Sequence, residues 1–219
     1  MRNCALAWAA ALLLVATGAS ATVFLQEGFE SDALGWEVVG QINNEPGVLW
    51  HRETHRPHTG TWSMAYNTGA PDYNYDVGTS WGLLASPWID LSSASSVQLT
   101  FSSWLETEND PYEYDVAFFM LKDDGLPWVE LAPDIQTRPQ GQWNDLAYDL
   151  SSVAGAPEVR IGFYFSTMDD IGNDFEGWYI DDVLLTDGET PPVPEPSTLL
   201  LLGTGLLGAG AVLRMRRRA

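Results

Sequence analysis

The sequence predicts an all-β protein, an antiparallel β-sandwich between an N-terminal signal helix and a C-terminal hydrophobic helix. Short apolar and aromatic runs alternate with turn residues through the middle of the 219-residue chain. No long segment there keeps a helical period between capping residues. Many short strands separated by turns are typical of sandwiches and barrels. Hydrophobic residues make up 45% of the chain and aromatic residues 12%, which argues against a disordered chain.

Four segments carry the clearest strand patterns. Residues 97–104 and 159–165 alternate apolar and polar positions, residues 114–121 do so in part, and residues 178–185 form a fourth apolar run. Shorter candidates are residues 81–84, 128–131 and 143–148. Clusters of Gly, Pro, Asn and Asp between these segments predict turns. About 165 residues are enough for one such core.

Residues 1–21 are predicted to be a secretory signal peptide. Arg2 gives the positive start, residues 6–16 form the apolar stretch, and Ala19-Ser20-Ala21 gives the small-residue cleavage pattern. We therefore expect the mature chain to begin at Thr22. Cleavage would remove Cys4, the one cysteine, so the exported protein would contain no disulfide bond and no cysteine-based zinc site.

The C-terminal segment combines a stiff linker with a short hydrophobic helix. Residues 190–198 are rich in proline, and residues 199–213 contain no charge. A helix over this run would span about 22 Å, less than the roughly 30 Å of a bilayer core. The predicted anchor, residues 199–219, is therefore marginal. Its basic end, which positive-inside topology keeps in the cytoplasm, consists of Arg214, Arg216, Arg217 and Arg218.

Pro194-Glu195-Pro196, followed by the apolar run and the arginine cluster, resembles a PEP-CTERM sorting signal. The resemblance covers residues 193–219 and implies a Gram-negative bacterium. It also implies an exosortase-type protease as partner, a precursor held transiently in the inner membrane, and delivery to the cell surface or the exterior. An ordinary tail anchor is the alternative interpretation.

The middle of the chain, residues 22–189, resembles a MAM-like jelly-roll domain of the kind labelled choice-of-anchor J. The matching pieces, in chain order, are residues 27–30 with Trp36, 58–63, 86–92, 99–101, 114–116, 124–125 with Trp128, Trp143 before 149–151, and 177–183. This resemblance implies a jelly-roll sandwich in a bacterial surface protein. The disulfides of animal MAM domains are absent, so the function of that subgroup is not transferred.

The same resemblance implies a structural Ca²⁺ ion held by Glu30 and Asp182. Adjacent residues of a strand point to opposite faces, so Asp181 and Asp182 cannot both face solvent. A Ca²⁺ ion, which binds carboxylate and carbonyl oxygens, would offset the cost of burying one of them. Asp181 and the backbone of residues 58–60 are further candidate ligands. The alternative is that Asp182 accepts hydrogen bonds from loop amides.

Aromatic residues suggest a carbohydrate-binding surface, since nine of the ten tryptophans remain after signal cleavage. Candidate ligand contacts, all predicted to be exposed, are Trp50, Trp62, Tyr73 and Tyr75. Trp81 and Trp128 are also expected to be accessible. The resemblance implies structural roles for Trp36, Trp88, Trp104, Trp143 and Trp178. Core packing is the alternative explanation for any of these rings.

The net charge of −20 argues against nucleic-acid binding, because an acidic surface repels phosphates. Five of the ten basic residues lie in the terminal segments, so the central domain is more acidic still. It is poorly suited to anionic partners unless cations bridge them. Potential nucleophiles are scarce, since the mature chain has one lysine and its three histidines lie together at residues 51–58.

These observations predict an exported, non-catalytic protein that binds polysaccharide or another surface component. One alternative is a self-associating structural protein of the envelope or biofilm matrix. The second is a glycoside hydrolase, which needs only two carboxylates at a suitable separation. No pair of carboxylates in the sequence is distinguished from the others, so no catalytic residue is assigned.

Overall fold

The computed structural model describes residues 21–33, 35–108, 114–123, 127–132 and 135–188. Residues 22–188 form one compact unit. Most of the predicted signal peptide, the Pro-rich linker, the sorting residues and the hydrophobic tail lie outside the described residues, as do Asp124 and Gly125. Among the described residues, no helix has the length and hydropathy required for a membrane span.

Twelve strands and two short 3₁₀ helices make up the described chain. The helices are Ile135–Thr137 and Ser151–Val153. The strands are β1 Val23–Glu27, β2 Glu37–Ile42, β3 Glu45–Pro46, β4 Trp50–Glu53, β5 Ser63–Tyr66, β6 Ser80–Ala85, β7 Gln98–Glu106, β8 Val116–Asp123, β9 Val129–Ala132, β10 Trp143–Asp149, β11 Val159–Ser166 and β12 Gly177–Thr186.

The strands form two antiparallel sheets, which confirms the predicted β-sandwich. Sheet A has the order β10-β7-β12-β5-β4, with β1 paired to the second half of β12. Sheet B has the order β3-β2-β6-β11-β8-β9. The predicted strand segments correspond to β6 to β12, with boundaries shifted by at most two residues.

The core lies between the sheets and is centred on aromatic rings. Phe163 of β11 has ring-centroid distances of 5.0 Å to Phe101, 5.8 Å to Trp178, 6.2 Å to Phe119 and 6.3 Å to Trp36. The alternation in β11 that predicts the strand is produced by this packing, because Val159, Ile161, Phe163 and Phe165 are fully buried. The opposite set of β11 side chains faces outward.

The first five strands carry little alternation in the sequence, and β5 shows why. All four of its residues are buried, because its outer face is covered by the β4–β5 loop, residues 54–62. Ala65 of β5 joins Trp104 and Tyr179 in a small apolar cluster on the outer face of sheet A. A strand that is covered on both faces loses the polar positions by which period-two patterns are recognised.

Candidate functional site

Three aromatic rings stand side by side on the outer face of sheet B. Tyr164 of β11 lies opposite Phe118 of β8 in the strand register, with ring centroids 4.9 Å apart and planes 24° apart. On its other side the ring of Trp81 from β6 lies 6.0 Å away, also at 24°. All three side chains are partly exposed. The Trp81 indole donates a hydrogen bond of 3.2 Å to the side-chain oxygen of Gln41, which fixes the outer end of the row.

A fourth ring, Trp128, lies over β11 at the preceding outward position. That position is Gly162, where an added Cβ would stand 2.8 Å from Leu83 Cδ1 and 2.9 Å from Trp128 Cζ3. Carbon atoms in normal contact are about 3.5–4.0 Å apart. Glycine is therefore required at 162 for the indole to lie flat against the sheet.

Trp88, from the segment that follows β6, lies near Arg160, the next outward residue of β11, and is the most exposed of these rings, at 46%. The guanidinium carbon of Arg160 is 5.3 Å from its ring centroid, and Lys122 Nζ is 5.4 Å away. Arg160 and Lys122 are direct register partners on β11 and β8. Arg160 also donates to Glu37 at 2.9 Å and to the carbonyl of Ser86 at 2.6 Å.

These rings form one continuous surface, which we call the aromatic line: Trp88, Trp128 and Tyr164, with Trp81 and Phe118 beside Tyr164. The three positions along β11 are residues 160, 162 and 164, about 7 Å apart because a strand rises roughly 3.3 Å per residue. The line therefore presents aromatic groups at a regular spacing over about 13 Å of strand. Such an arrangement suits an extended ligand with a repeating unit.

The predicted ligand aromatics lie elsewhere, and two of them are inaccessible. The expectation that Trp50 and Tyr75 are exposed is wrong: they are 3% and 0% exposed. Trp50 packs against Tyr66 and Trp178 in the core. The hydroxyl of Tyr75 donates to Asp115, so burial of the ring is accompanied by a satisfied polar end.

Trp62 and Tyr73 are partly exposed, but each has one ring face covered. The guanidinium of Arg52 lies 4.2 Å from the centroid of Trp62. The imidazole of His55 stacks on Tyr73 at 3.9 Å and 16°. Neither ring lies on sheet B, so the four predicted contacts do not form a common surface with the aromatic line.

The structure does bring the predicted metal residues together, around the β4–β5 loop. Glu30 Oε1 accepts hydrogen bonds from the amides of Thr61 and Trp62, at 2.8 and 2.9 Å. These amides hold the pKa of Glu30 below its usual value. Gly60 has a positive φ of 63°, and an added side chain there would collide with the Glu30 carboxylate. The loop conformation therefore depends on a glycine beside this acid.

Asp181 is buried and Asp182 is partly exposed, as expected for adjacent residues of a strand. Asp181 is fully buried, and its two oxygens accept from the amides of His58, Thr59 and Asp182 at 2.7–3.1 Å. Burial raises the pKa of Asp181, although the three amides favour its charged form. The amide acceptor is thus Asp181, whereas the sequence suggested Asp182 for that role.

Asp182 lies in a bulge of β12 with a positive φ of 50°, which turns its side chain toward the same loop. Its Oδ2 is 2.7 Å from His58 Nδ1, and its Oδ1 accepts from the Thr59 hydroxyl at 2.5 Å. Among the described residues, no group of three or more His, Cys, Asp or Glu side chains is placed to hold a metal ion. Glu30 and Asp182 fit a Ca²⁺ ion only if backbone oxygens complete the site.

The β4–β5 loop is fastened at a second point by Arg56. Its guanidinium makes a two-point contact with Glu176, with N–O distances of 2.9 and 2.7 Å. The same group lies 4.1 Å above the ring of Trp104 and 5.8 Å from that of Tyr179. The loop therefore covers the outer face of sheet A, and the corresponding face of sheet B carries no such cover from this loop.

One buried carboxylate lies apart from both surfaces. Asp115 is fully buried, and its Oδ1 has no hydrogen-bond partner among the described residues. Burial raises the pKa of Asp115 to about 7, with smaller contributions from the nearby charges of Glu108 and Asp169. The Gln136 side chain donates to its backbone carbonyl. This group makes the stability of the fold sensitive to pH.

The C-terminal segment is similar to a described family of export signals. Residues 192–218 match the PEP-CTERM protein-sorting motif. The motif supports an exported, surface-targeted protein and implies processing by an exosortase. The finer resemblance of the central domain to MAM-like and choice-of-anchor J domains, the domain boundaries and the Gram-negative origin stay predictions.

The sandwich domain is similar to parts of larger proteins. Bacillopeptidase F of Bacillus subtilis (strain 168) is 28% identical over 169 residues, which are 77% of this chain and 11% of that protein. The chain thus spans about a tenth of the length of this relative, and the activity of the whole relative is not transferred.

Two solved structures illustrate the likeness in fold. One is the CBM22-1 xylan-binding domain from Paenibacillus barcinonensis Xyn10C, with a TM-score of 0.43, 13% identity, and coverage of 76% of this chain and 95% of that one. The other is the Spr0440 glycoside hydrolase domain, Endo-D from Streptococcus pneumoniae R6, with a TM-score of 0.48, 14% identity, and coverage of 72% and 22%. At these values the likeness carries no argument about ligand or activity.

Proposed function

We propose that the protein is an exported, non-catalytic surface module that binds a polysaccharide along the outer face of sheet B. The aromatic line is the observation that carries this proposal. Sugar rings have apolar faces that pack on aromatic rings, and Trp88, Trp128 and Tyr164 offer such rings at successive positions of one rigid strand. The sorting motif supports a location in which extracellular polysaccharide is the abundant polymer.

Polar groups beside the line suit a ligand that is rich in hydroxyls. Gln41 and Ser166 flank the Trp81 end, and Glu37 and Glu130 occupy the row that contains Gly162. Binding sites for small polar ligands combine aromatic surface with a few hydrogen-bonding groups in this way. A rigid strand also reduces the entropic cost of ordering the site on binding.

The test compares Trp128→Ala with Trp143→Ala in the exported protein on an array of extracellular polysaccharides. Both variants remove one partly exposed indole, but Trp143 lies on sheet A. We expect W128A to weaken binding by about fivefold or more while W143A leaves it unchanged. Equal binding by both variants, with folding verified by circular dichroism, would remove the aromatic line as the binding surface.

Self-association through the same face is the second candidate, because Val39 adds 49% exposed apolar side chain beside the line. Sedimentation velocity over a hundredfold concentration range separates the two functions. A monomer that binds glycan supports the first proposal. A concentration-dependent dimer that W128A dissociates, with no glycan bound, supports the structural one.

We further propose a structural Ca²⁺ ion between Glu30 and Asp182. Glu30 Oε2 accepts no hydrogen bond from the described part of the chain, and Asp182 is partly exposed beside Gly28, whose missing side chain leaves space next to Asp182 Oδ1. Bound Ca²⁺ would supply positive charge between two carboxylates that repel each other. The Glu30 amide contacts would then fix the loop to the ion.

Melting in excess Ca²⁺ and in EDTA tests this ion, with Glu30→Gln as the variant. The wild type should melt at higher temperature in Ca²⁺, since an ion that binds only the folded state stabilises it by mass action. E30Q should lose that difference. Identical wild-type melting in both buffers would contradict the proposal.

A further inference from the structure

We propose that the Trp88 end of the aromatic line binds the carboxylate of an acidic sugar through Lys122, and that the remaining positions bind neutral sugars. This inference rests on the proposed polysaccharide function. It specifies the ligand as a polymer in which each uronic acid is separated from the next by uncharged sugar units.

Lys122 is the one lysine of the chain, and its ammonium is available to a ligand. Within the described residues, no carboxylate oxygen lies within 4.0 Å of Lys122 Nζ. Its ammonium lies 5.4 Å from the ring centroid of Trp88. A chain with net charge −20 has many acids that would pair with a lysine. An ammonium that has no carboxylate partner in the described part of the chain, and that lies beside an exposed indole, points to an external anion.

Arg160 is less suited to this role, because its Nη1 and Nε already have acceptors in the protein. Its Nη1 pairs with Glu37 and its Nε donates to Ser86. The side chain is 9% exposed, so it acts as a fixed support for the indole. Both cations thus lie near the Trp88 ring, and of the two only Lys122 has no carboxylate partner within the described residues. An ammonium beside an aromatic face matches a sugar ring that bears a carboxylate.

The rest of the line disfavours further negative charge. Glu37 and Glu130 occupy the neighbouring row, and Arg160 neutralises only Glu37. A carboxylate on the sugar over Trp128 would approach the unneutralised Glu130. The overall acidity adds repulsion against any polymer with a charge on every unit. These charges therefore select for one acidic sugar at the Lys122 end.

The experiment measures Kd by calorimetry for the exported protein with three tetrasaccharide backbones: β-1,4-linked glucose, β-1,4-linked mannose and α-1,4-linked galactose. Each is prepared neutral, with a single uronate at either end, and with all four units oxidised at C6. We expect one single-uronate form to bind about two- to fivefold more tightly than its neutral parent, the range of an exposed ion pair. The fully oxidised form should bind most weakly.

Variants assign the charge effects to residues. Lys122→Gln should abolish the preference for the single-uronate form over the neutral form, whereas Lys122→Arg should retain it. Glu130→Gln should improve binding of the fully oxidised form. Gln142→Glu, at an exposed position before β10 on sheet A, adds the same charge change as K122Q and should alter nothing.

The outcomes separate this inference from the function on which it rests. Equal binding of neutral and single-uronate forms overturns the inference and leaves the polysaccharide function in place. A uronate preference that survives in K122Q also overturns it. If none of the twelve tetrasaccharides binds, both the inference and the proposed function are contradicted.

Discussion

Substituting Gly162 by alanine tests the aromatic line without removing any aromatic residue. The new Cβ would stand 2.9 Å from Trp128 Cζ3 and 2.8 Å from Leu83 Cδ1. Contact at about 3.5–4.0 Å requires the indole to lift by roughly 0.6–1.1 Å. The core face of β11 is unaffected, because Ile161 and Phe163 point the other way.

The expected change in stability is small, since two effects oppose each other. Alanine is better than glycine within a strand by about 0.5–1 kcal/mol. Overpacking costs about 1–3 kcal/mol, and its lower end applies here because the partly exposed Trp128 indole can move, although Leu83 is only 9% exposed. We expect a net loss of about 0–2 kcal/mol in the free energy of unfolding.

The expected change in affinity follows from the area of the Trp128 ring that a ligand would cover. If a ligand covers about 50 Å² of the Trp128 face, roughly a quarter of what a buried aromatic side chain loses to solvent, the contact contributes about 1.2 kcal/mol. Displacing the indole from the line would then weaken binding about eightfold.

Guanidinium unfolding measures the change in stability, and the indole N–H chemical shift of Trp128 reports the displacement of the ring. Calorimetric titration with the polysaccharide that the wild type binds measures the change in affinity. Ala147→Ser is the control, because it adds one side-chain atom at an exposed position of β10, in sheet A. A G162A protein that shifts the Trp128 resonance yet binds as tightly as wild type would refute the role of this ring.

Two further predictions concern stability. Arg56→Ala should lower the free energy of unfolding by about 1–2 kcal/mol in guanidinium melts, because the stacking on the rings and the ion pair with Glu176 are lost. Arg56→Lys should restore only part of that free energy, because an ammonium lacks the planar fork of a guanidinium. Full restoration by lysine would contradict the stacking argument. Asp115 binds its proton more tightly in the folded state, so wild-type stability should fall as pH rises from about 4 to 7, by at most about 1.4 kcal/mol per pH unit from this group. Asp115→Asn should flatten that dependence, and the exposed control Asp72→Asn should not; equal slopes in D115N and wild type would show that Asp115 titrates normally.

The success of the strand predictions follows from how the outer faces are covered. β8 has one face in the core and one partly open to solvent, so its residues alternate between buried and partly exposed from Val116 to Lys122. β11 alternates in sequence although Tyr164 is its one partly exposed residue. The strand β5 is buried on both faces by the β4–β5 loop, and its four residues carry no such pattern. A loop that packs across a sheet is a long-range event, which local periodicity does not record.

The site predictions divide in the same way. The sequence pointed to Glu30, Asp181 and Asp182 as neighbours of the loop at residues 58–60, and the structure places them there. It misplaced the exposed aromatics: Trp50 and Tyr75 are core residues, whereas Trp88, assigned a structural role, is 46% exposed. A tryptophan in a short apolar run has the same local sequence whether it faces the core or solvent.

Composition and the chain ends were determined by the sequence alone. Residue types and their order along the chain are sufficient to predict the export signals, the loss of the only cysteine, the acidity and the β-rich class. None of these predictions needs a folded structure. Only the tertiary structure decided which rings share a surface. Register across β6, β11 and β8 aligns Trp81, Tyr164 and Phe118, and the absence of a side chain at Gly162 admits Trp128 from a distant loop. Contacts between residues far apart in the chain, fixed by strand pairing, create the proposed binding surface.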